Sequence, residues 1–345
     1  MRNTTRLTAV AGVLAASVVL VACSSGESAQ PAATSAAAAA TEAAAAEAPA
    51  ATSAAAEAPA AAGPINICAT FPILDQFLQK VADGMTAEAE AQGAAINILA
   101  AEEKTDVQVG QVENCIAQGA SAIVVVPVDT DATQPMTDAA KAAGIPLVYV
   151  NRRPADLPAD VPYVGSDSLV SGVLEMEELA KLAGGKGNVV ILQGDPANEA
   201  AVLRTQGCKD IVAKNPDMKV TKEAAGNWQR DKGQAIMEDW LQSGDQIDIV
   251  CANNDEMALG AINAIKAAGK IDDILVGGVD ATGDALAAME AGDLEVTVFQ
   301  DASGQGGGGV AAAVKLINGE TVDSYVDIPY VLVTPANIAD FQGKN

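Results

Sequence analysis

The chain has 345 residues, 50% hydrophobic but only 3% aromatic, and its 20 Lys and Arg stand against 45 Asp and Glu, a formal charge of −25 with no His. So acidic a chain will not seek nucleic acid or an anionic membrane face. Without His it lacks the commonest general base and metal ligand and every Ser-His or Cys-His pair, so neither an enzyme nor a metal or cofactor site is expected.

The first segment carries Arg2 and Arg6, an apolar run from Leu7 to Val21, and the ending Leu20-Val21-Ala22-Cys23 before Ser24. That order reads as a signal peptide over 1–22, and the run is shorter than the ~20 residues a membrane span needs. Its Leu-Val-Ala-Cys end is similar to the lipobox of bacterial lipoproteins, which implies cleavage before Cys23 and a lipid on its thiol. Plain secretory cleavage after Ala22 is the alternative. From Ser24 to Gly63 alanine takes 22 of 40 positions, with Ser, Thr, Glu and Pro and no large apolar residue. Such a segment buries too little to offset its ordering entropy, so 23–63 is expected to be a disordered tether. Its upper reach exceeds ~100 Å.

Residues 64–345 alternate β-rich runs with helical stretches, the pattern of parallel-sheet α/β architecture. Strands are predicted at Ile65–Thr70, Ala95–Ala100, Ala122–Val126, Leu147–Val150, Val189–Leu192, Val220–Ala224, Ile247–Ala252, Ile274–Val279 and Glu295–Phe299. The first helix is expected over Asp75–Gln92, where Phe77, Val81, Met85 and Ala89 keep helical spacing and Gln92-Gly93 closes it. A first block runs to about Ser166 and a second restarts at Gly187-Asn188-Val189, so two doubly wound lobes are expected in tandem. In such sheets ligands bind outside the carboxyl ends of the strands.

Those ends are polar. Strands run into Asn151-Arg152-Arg153, Asn253-Asn254-Asp255, Asp280 and Gln300-Asp301, and the loop Gly194–Asn198 leads to a helix carrying Arg204. Asn, Asp, Gln and Arg bind hydroxyls as paired donors and acceptors, while Phe71, Phe77 and Trp228 could cover the apolar face of a ring. The set describes a polyol pocket.

The runs Asn254-Asp255-Glu256-Met257-Ala258-Leu259-Gly260-Ala261, Val276-Gly277-Gly278-Val279-Asp280 and Arg204-Thr205-Gln206-Gly207 resemble the ribose-type periplasmic sugar-binding proteins across nearly all of 64–345. The resemblance implies a type I periplasmic binding protein: two doubly wound parallel-sheet lobes joined by a hinge, with the ligand in the interlobe cleft. It places 64–165 and 301–329 in one lobe and 166–300 and 330–345 in the other. By position, ligand contacts fall on Thr70, Asp75, Phe77, Leu78, Asn151, Arg152, Arg204, Trp228, Asn254, Asp280 and Gln300. Leu78 stands where a second aromatic is common, Val126 where ribose binders offer a polar group, and Asn151 where they have Asp. Ribose is thereby disfavoured, and Val148–Pro154 with Tyr163–Asp167 is similar to members that bind inositol-like cyclitols.

Other features have structural explanations. Asp255 and Glu256 read as charges at a helix N-terminus, Asp280 could cap a following helix, Arg153 could face solvent, and Asp129 with Asp131 reads as helix capping in a turn. Gly304-Gln305-Gly306-Gly307-Gly308-Gly309 fits G-x-G-x-x-G but lies in the last sixth of the chain, so a close-packed hinge turn is expected, not a dinucleotide site. With no P-loop motif, ATP is left to a separate subunit. In an oxidising compartment Cys68 can pair with Cys115 and Cys208 with Cys251, the alternative being buried free thiols. The reading is a monomeric, lipid-anchored extracytoplasmic protein that delivers a neutral sugar or cyclitol to an ABC permease. A sensor presenting ligand to a membrane receptor is the alternative. A transcription regulator of the same fold would need a DNA-binding segment where the leader and tether lie.

Overall fold

The computed structural model describes residues 63–345. The leader, Cys23 and the tether as far as residue 62 lie outside the described residues. In chain order the elements are β1 (Asn66–Phe71), α1 (Gln76–Ala91), β2 (Ala95–Ala100), α2 (Thr105–Ala117), β3 (Ala122–Val125), α3 (Gln134–Ala143), β4 (Leu147–Val150), β5 (Tyr163–Gly165), α4 (Ser168–Leu182) and β6 (Lys186–Gln193). They continue as α5 (Glu199–Lys214), β7 (Asp217–Ala225), α6 (Arg230–Gln242), β8 (Ile249–Ala252), α7 (Asp255–Ala267), β9 (Leu275–Gly277), α8 (Gly283–Ala291), β10 (Thr297–Phe299), α9 (Ala302–Ile317), β11 (Tyr325–Asp327) and β12 (Val331–Val333). Among the described residues no helix is long and apolar enough to cross a membrane.

Two sheets organise these elements. The first runs β11-β5-β4-β3-β1-β2, all parallel; the second runs β7-β6-β8-β9, also parallel, with the antiparallel pair β10-β12 beside it. The chain passes between the two lobes three times, from β5 to α4, from β10 to α9 and from β11 to β12. Every predicted strand is present, with ends moved by at most three residues. The three-residue strands β5, β11 and β12 were not expected; β9 and β10 are as short but stand within the longer predicted runs Ile274–Val279 and Glu295–Phe299.

Alternation along β1 sets what each lobe face buries. Ile67, Ala69 and Phe71 pack with α1 and α9, whereas Cys68 joins Val112 and Cys115 of α2 on the other face. Helix α1 starts because Asp75 accepts the Leu78 N–H at 2.7 Å, and it stops at Gln92 ahead of Gly93 with φ +67°. The glycine run is not a hinge turn. It lies inside α9, where it lets two helices meet closely: a Cβ on Gly306 would fall 2.0 Å from the Val81 carbonyl oxygen of α1, and one on Gly84 2.4 Å from that of Ser303. Asp129 and Asp131 do not cap α3 either, since Thr133 holds that position and Asp129 instead accepts the Asp131 N–H at 2.9 Å in a local turn.

Both cysteine pairs lie within bonding reach. Cys68 of β1 and Cys115 of α2 have Cα atoms 6.1 Å apart, and Cys208 of α5 and Cys251 of β8 have theirs 6.7 Å apart.

Candidate ligand-binding site

The carboxyl ends of the two sheets face one another across a small cavity. Its walls are Asp75, Phe77, Leu78, Asn151 and Arg152 from the first lobe and Ala200, Arg204, Trp228, Asn254, Asp280 and Gln300 from the second. Ten of the eleven residues expected from sequence are therefore brought together. Thr70 is not. It shares the face of β1 that carries Cys68, lies wholly buried against α2, and accepts a hydrogen bond from Gln108 Nε2 at 3.3 Å.

Arg204 organises the second wall. It is 4% exposed, and its Nη1 donates to the Asn253 carbonyl at 2.7 Å while its Nη2 donates to Gln300 Oε1 at 2.8 Å and to the Tyr330 hydroxyl at 2.9 Å. Its Nη1 also stands 3.9 Å from Asp280 Oδ1. Arg204 Nε is buried with no partner among the described residues. Burial drives the Asp280 carboxyl well above the usual carboxylate range, against the pull of the Arg204 guanidinium.

Asp280 does not cap a helix, a role Thr282 takes for α8. It is held instead in a strained backbone, with φ +125° followed by Ala281 at φ +54°, a conformation costly for residues other than glycine. Asp255 supplies the strut. It is fully buried rather than a charge on a helix surface, accepting the Thr282 N–H at 2.8 Å and the Thr297 hydroxyl at 2.7 Å, and the Thr297 hydroxyl oxygen in turn accepts the Ala281 N–H at 3.1 Å. Burial raises the Asp255 carboxyl to about 7, the threonine hydrogen bonds opposing. Its neighbour Glu256 faces outward and pairs with Arg230 at 2.7 Å.

Trp228 forms the aromatic surface of this wall. Asn227 and Trp228 both have positive φ, +50° and +66°, and the indole lies so close over Gly194 that a Cβ there would sit 2.2 Å from a ring carbon. Its Nε1 donates to Asn198 Oδ1 at 2.8 Å. Asn254 caps α7 by accepting the Met257 N–H at 3.1 Å and donates through Nδ2 to the Trp228 carbonyl at 3.2 Å.

The first wall is simpler. Asp75 is both the cap of α1 and a cavity carboxyl, and burial raises its affinity for a proton against the Leu78 N–H bond and the Arg152 charge. Arg152 is anchored by Nη1 to the Pro127 carbonyl at 3.1 Å. Asn151 adopts φ +65°, tolerable for Asn, and its Nδ2 donates to Gln305 Oε1 at 2.9 Å. Gln305 Nε2 donates to Ser166 Oγ at 3.0 Å, which joins this wall to the segment between β5 and α4. Sequence reasoning missed Gln305, Asn253, Asn198 and Tyr330. Asn253 adjoins a chosen residue and Gln305 lies inside the glycine run, so both were in view as letters but not as contacts.

The chain matches the family described as "Periplasmic binding protein domain" over residues 72–321. It is 47% identical over 278 residues to a putative rhizopine-binding protein of Rhizobium meliloti, a match spanning 79% of this chain and 90% of that one. It is 37% identical over 268 residues to a xylitol-binding protein of Mycolicibacterium smegmatis, spanning 77% and 76%. Among solved structures it is similar to an ABC transporter solute binding protein from Bacillus halodurans with bound myo-inositol, at 42% identity and a TM-score of 0.80 over 82% of this chain and 99% of that one. These matches agree with the resemblance drawn from the strand-end motifs. The chain belongs to the periplasmic binding protein domain family, a family of substrate-binding proteins rather than enzymes, and has its type I fold of two α/β lobes.

Proposed function

We propose that this protein is an extracytoplasmic solute-binding lipoprotein that captures an uncharged cyclitol or monosaccharide between its lobes and delivers it to an ABC permease. The observation that carries this reading is the charge balance of the cavity. Two carboxyl groups, Asp75 and Asp280, are set against two guanidinium groups, Arg152 and Arg204, and Asn151, Asn254 and Gln300 complete the polar lining. A buried ionic ligand needs a counter-charge; here Arg204 has Asp280 at 3.9 Å, and the Arg152 charge already acts on Asp75. A neutral polyol needs hydroxyl-binding groups and one or two apolar plates, which Phe77 and Trp228 provide. The ten lining residues expected from sequence are proposed as its contacts.

The matches to a xylitol-binding protein and to a structure holding myo-inositol support a small uncharged polyol. Leu78 makes the lining less polar than the ribose pattern, whereas Val126 is buried in the core behind it, and a cyclitol is favoured over ribose. The lipid on Cys23, the monomeric state and two oxidised cysteine pairs belong to the same proposal. Mass spectrometry of ligand co-purified with the protein tests it first: a cyclitol or sugar is expected, and a peptide or an anion would overturn it. Cys23→Ser should release the protein from membranes into the soluble fraction, and membrane retention of that variant would remove the anchor.

A further inference from the structure

We propose that Asn198 is the positioning residue through which the ligand cavity is coupled to closure of the two lobes. The inference rests on the reading that the ligand lies in the cavity lined by Trp228 and Arg152. Asn198 is fully buried and occupies the cap position before α5, yet its side chain makes no capping bond. Its two polar atoms are spent elsewhere. Nδ2 crosses between the lobes to the Val128 carbonyl at 2.8 Å, and Oδ1 accepts the Trp228 indole N–H at 2.8 Å.

The two contacts constrain each other. An amide has its donor and its acceptor on opposite arms, so the indole N–H selects the one orientation that aims Nδ2 at the other lobe. A flipped amide would set donor against donor at Trp228 and acceptor against acceptor at Val128. Aspartate could satisfy the indole but would place a carboxylate oxygen against a carbonyl. The loop that carries Asn198 is itself fixed, because Asp195 accepts the Ala197 N–H through Oδ1 at 3.0 Å and the Asn198 N–H through its carbonyl at 2.9 Å.

Neighbouring bonds make this a latch. Thr130 of the first lobe donates its N–H and its hydroxyl to the Ala197 carbonyl, both at 3.0 Å, and its hydroxyl oxygen accepts the Glu199 N–H at 3.2 Å. All are bonds between lobes and are lost when the lobes part. The Val128 carbonyl is also approached by Arg152 Nη1 at 3.4 Å. One residue from each cavity wall thus converges on a single carbonyl, Arg152 directly and Trp228 through Asn198. A ligand ring that settles the indole settles the amide, and the amide presents its donor for closure.

The test uses the full folded domain with myo-inositol as probe, reading Kd and dissociation rate by Trp fluorescence and lobe separation by paired spin labels. Asn198→Asp keeps the acceptor for Trp228 and removes the interlobe donor; it should weaken binding at least ~10-fold, mainly by faster dissociation, with a reduced closed population at saturation. Thr130→Val, which leaves Asn198 intact, should weaken binding several-fold with the indole signal unchanged, and it stands in if Asn198→Asp does not fold. Coupling is read from a double-mutant cycle, in which Asn198→Asp should cost clearly less on a Trp228→Phe background than on the wild type. Wild-type binding and closure with Asn198→Asp unaffected, or with costs that simply add, would overturn the coupling while leaving the proposed function standing. A wild type that binds no uncharged polyol at all would instead overturn the proposed function and the coupling with it.

Discussion

The two walls of the cavity are built differently. The second-lobe wall is a mesh, in which Arg204 holds three partners, Asp280 is pinned in a left-handed backbone by the Asp255 strut, and Trp228 is fixed by two positive-φ residues and a bare glycine beneath its ring. The first-lobe wall hangs on fewer ties: Asp75 at the start of α1, Arg152 on backbone carbonyls, and Asn151 on Gln305. The difference assigns the second wall to ligand geometry, since Arg204 and Asp280 are positioned before any ligand arrives and lose little freedom on binding. The first wall completes the enclosure when the lobes meet.

The largest effect should follow from breaking the mesh at its centre. Arg204→Ala removes a guanidinium bound to Asn253, Gln300 and Tyr330 and leaves Asp280 without its 3.9 Å counter-charge. Hydrogen bonds of charged groups are worth ~1.5–3 kcal/mol each, so titration should show affinity lost by well over ~10-fold. Asp280→Ala should lose at least ~10-fold. Next comes Gly194→Ala, which forces the Trp228 ring off its seat; binding should fall by roughly 10-fold, with a shift in indole emission in the absence of ligand. On the simpler wall, Asp75→Asn keeps an oxygen to cap α1 and should cost only a few-fold. Equal losses for Asp75→Asn and Arg204→Ala would erase the distinction between the walls.

Much of this was legible in the chain. The alternation of strand and helix from residue 64 gave two lobes because each strand is a short apolar run closed by polar residues, and the polar residues at strand ends form the walls. Thr70 failed because position at a strand end does not say which face a side chain takes, and the register of β1 turns it to α2. Asp255 does stand in the first turn of α7, as expected, but its burial could not be read from the chain because it depends on the loop from Val279 to Thr282, distant in sequence. The glycine run was misread because close helix packing and turns draw on the same residue, and only the partner Gly84 tells them apart. Strands β11 and β12, and with them Tyr330, were not read because these half-exposed runs follow no strand-and-helix alternation.

The smallest effect is at the strut. The folded Asp255 carboxyl holds its proton up to about 7 against a usual value of 3.8. The folded state therefore binds more protons than the unfolded chain between those values, so stability from this group is present below pH ~4 and lost as pH rises toward 7, by at most ~1.4 kcal/mol per pH unit. Asp255→Asn should flatten that part of the stability profile, measured by urea unfolding from pH 4 to 8. It should move myo-inositol affinity at pH 7 less than Asp75→Asn does, and a slope unchanged in the variant would remove Asp255 as the titrating group.

Calorimetry of one ligand set against the wild-type protein tests the charge-balanced cavity most directly: myo-inositol, xylitol and D-ribose beside a cyclitol phosphate and a sugar carboxylate. With each cavity carboxyl already opposed by a guanidinium, the uncharged ligands should bind, a cyclitol most tightly and ribose not first, and the two anions should give no heat. An anion that binds more tightly than every neutral polyol in the set would contradict the account.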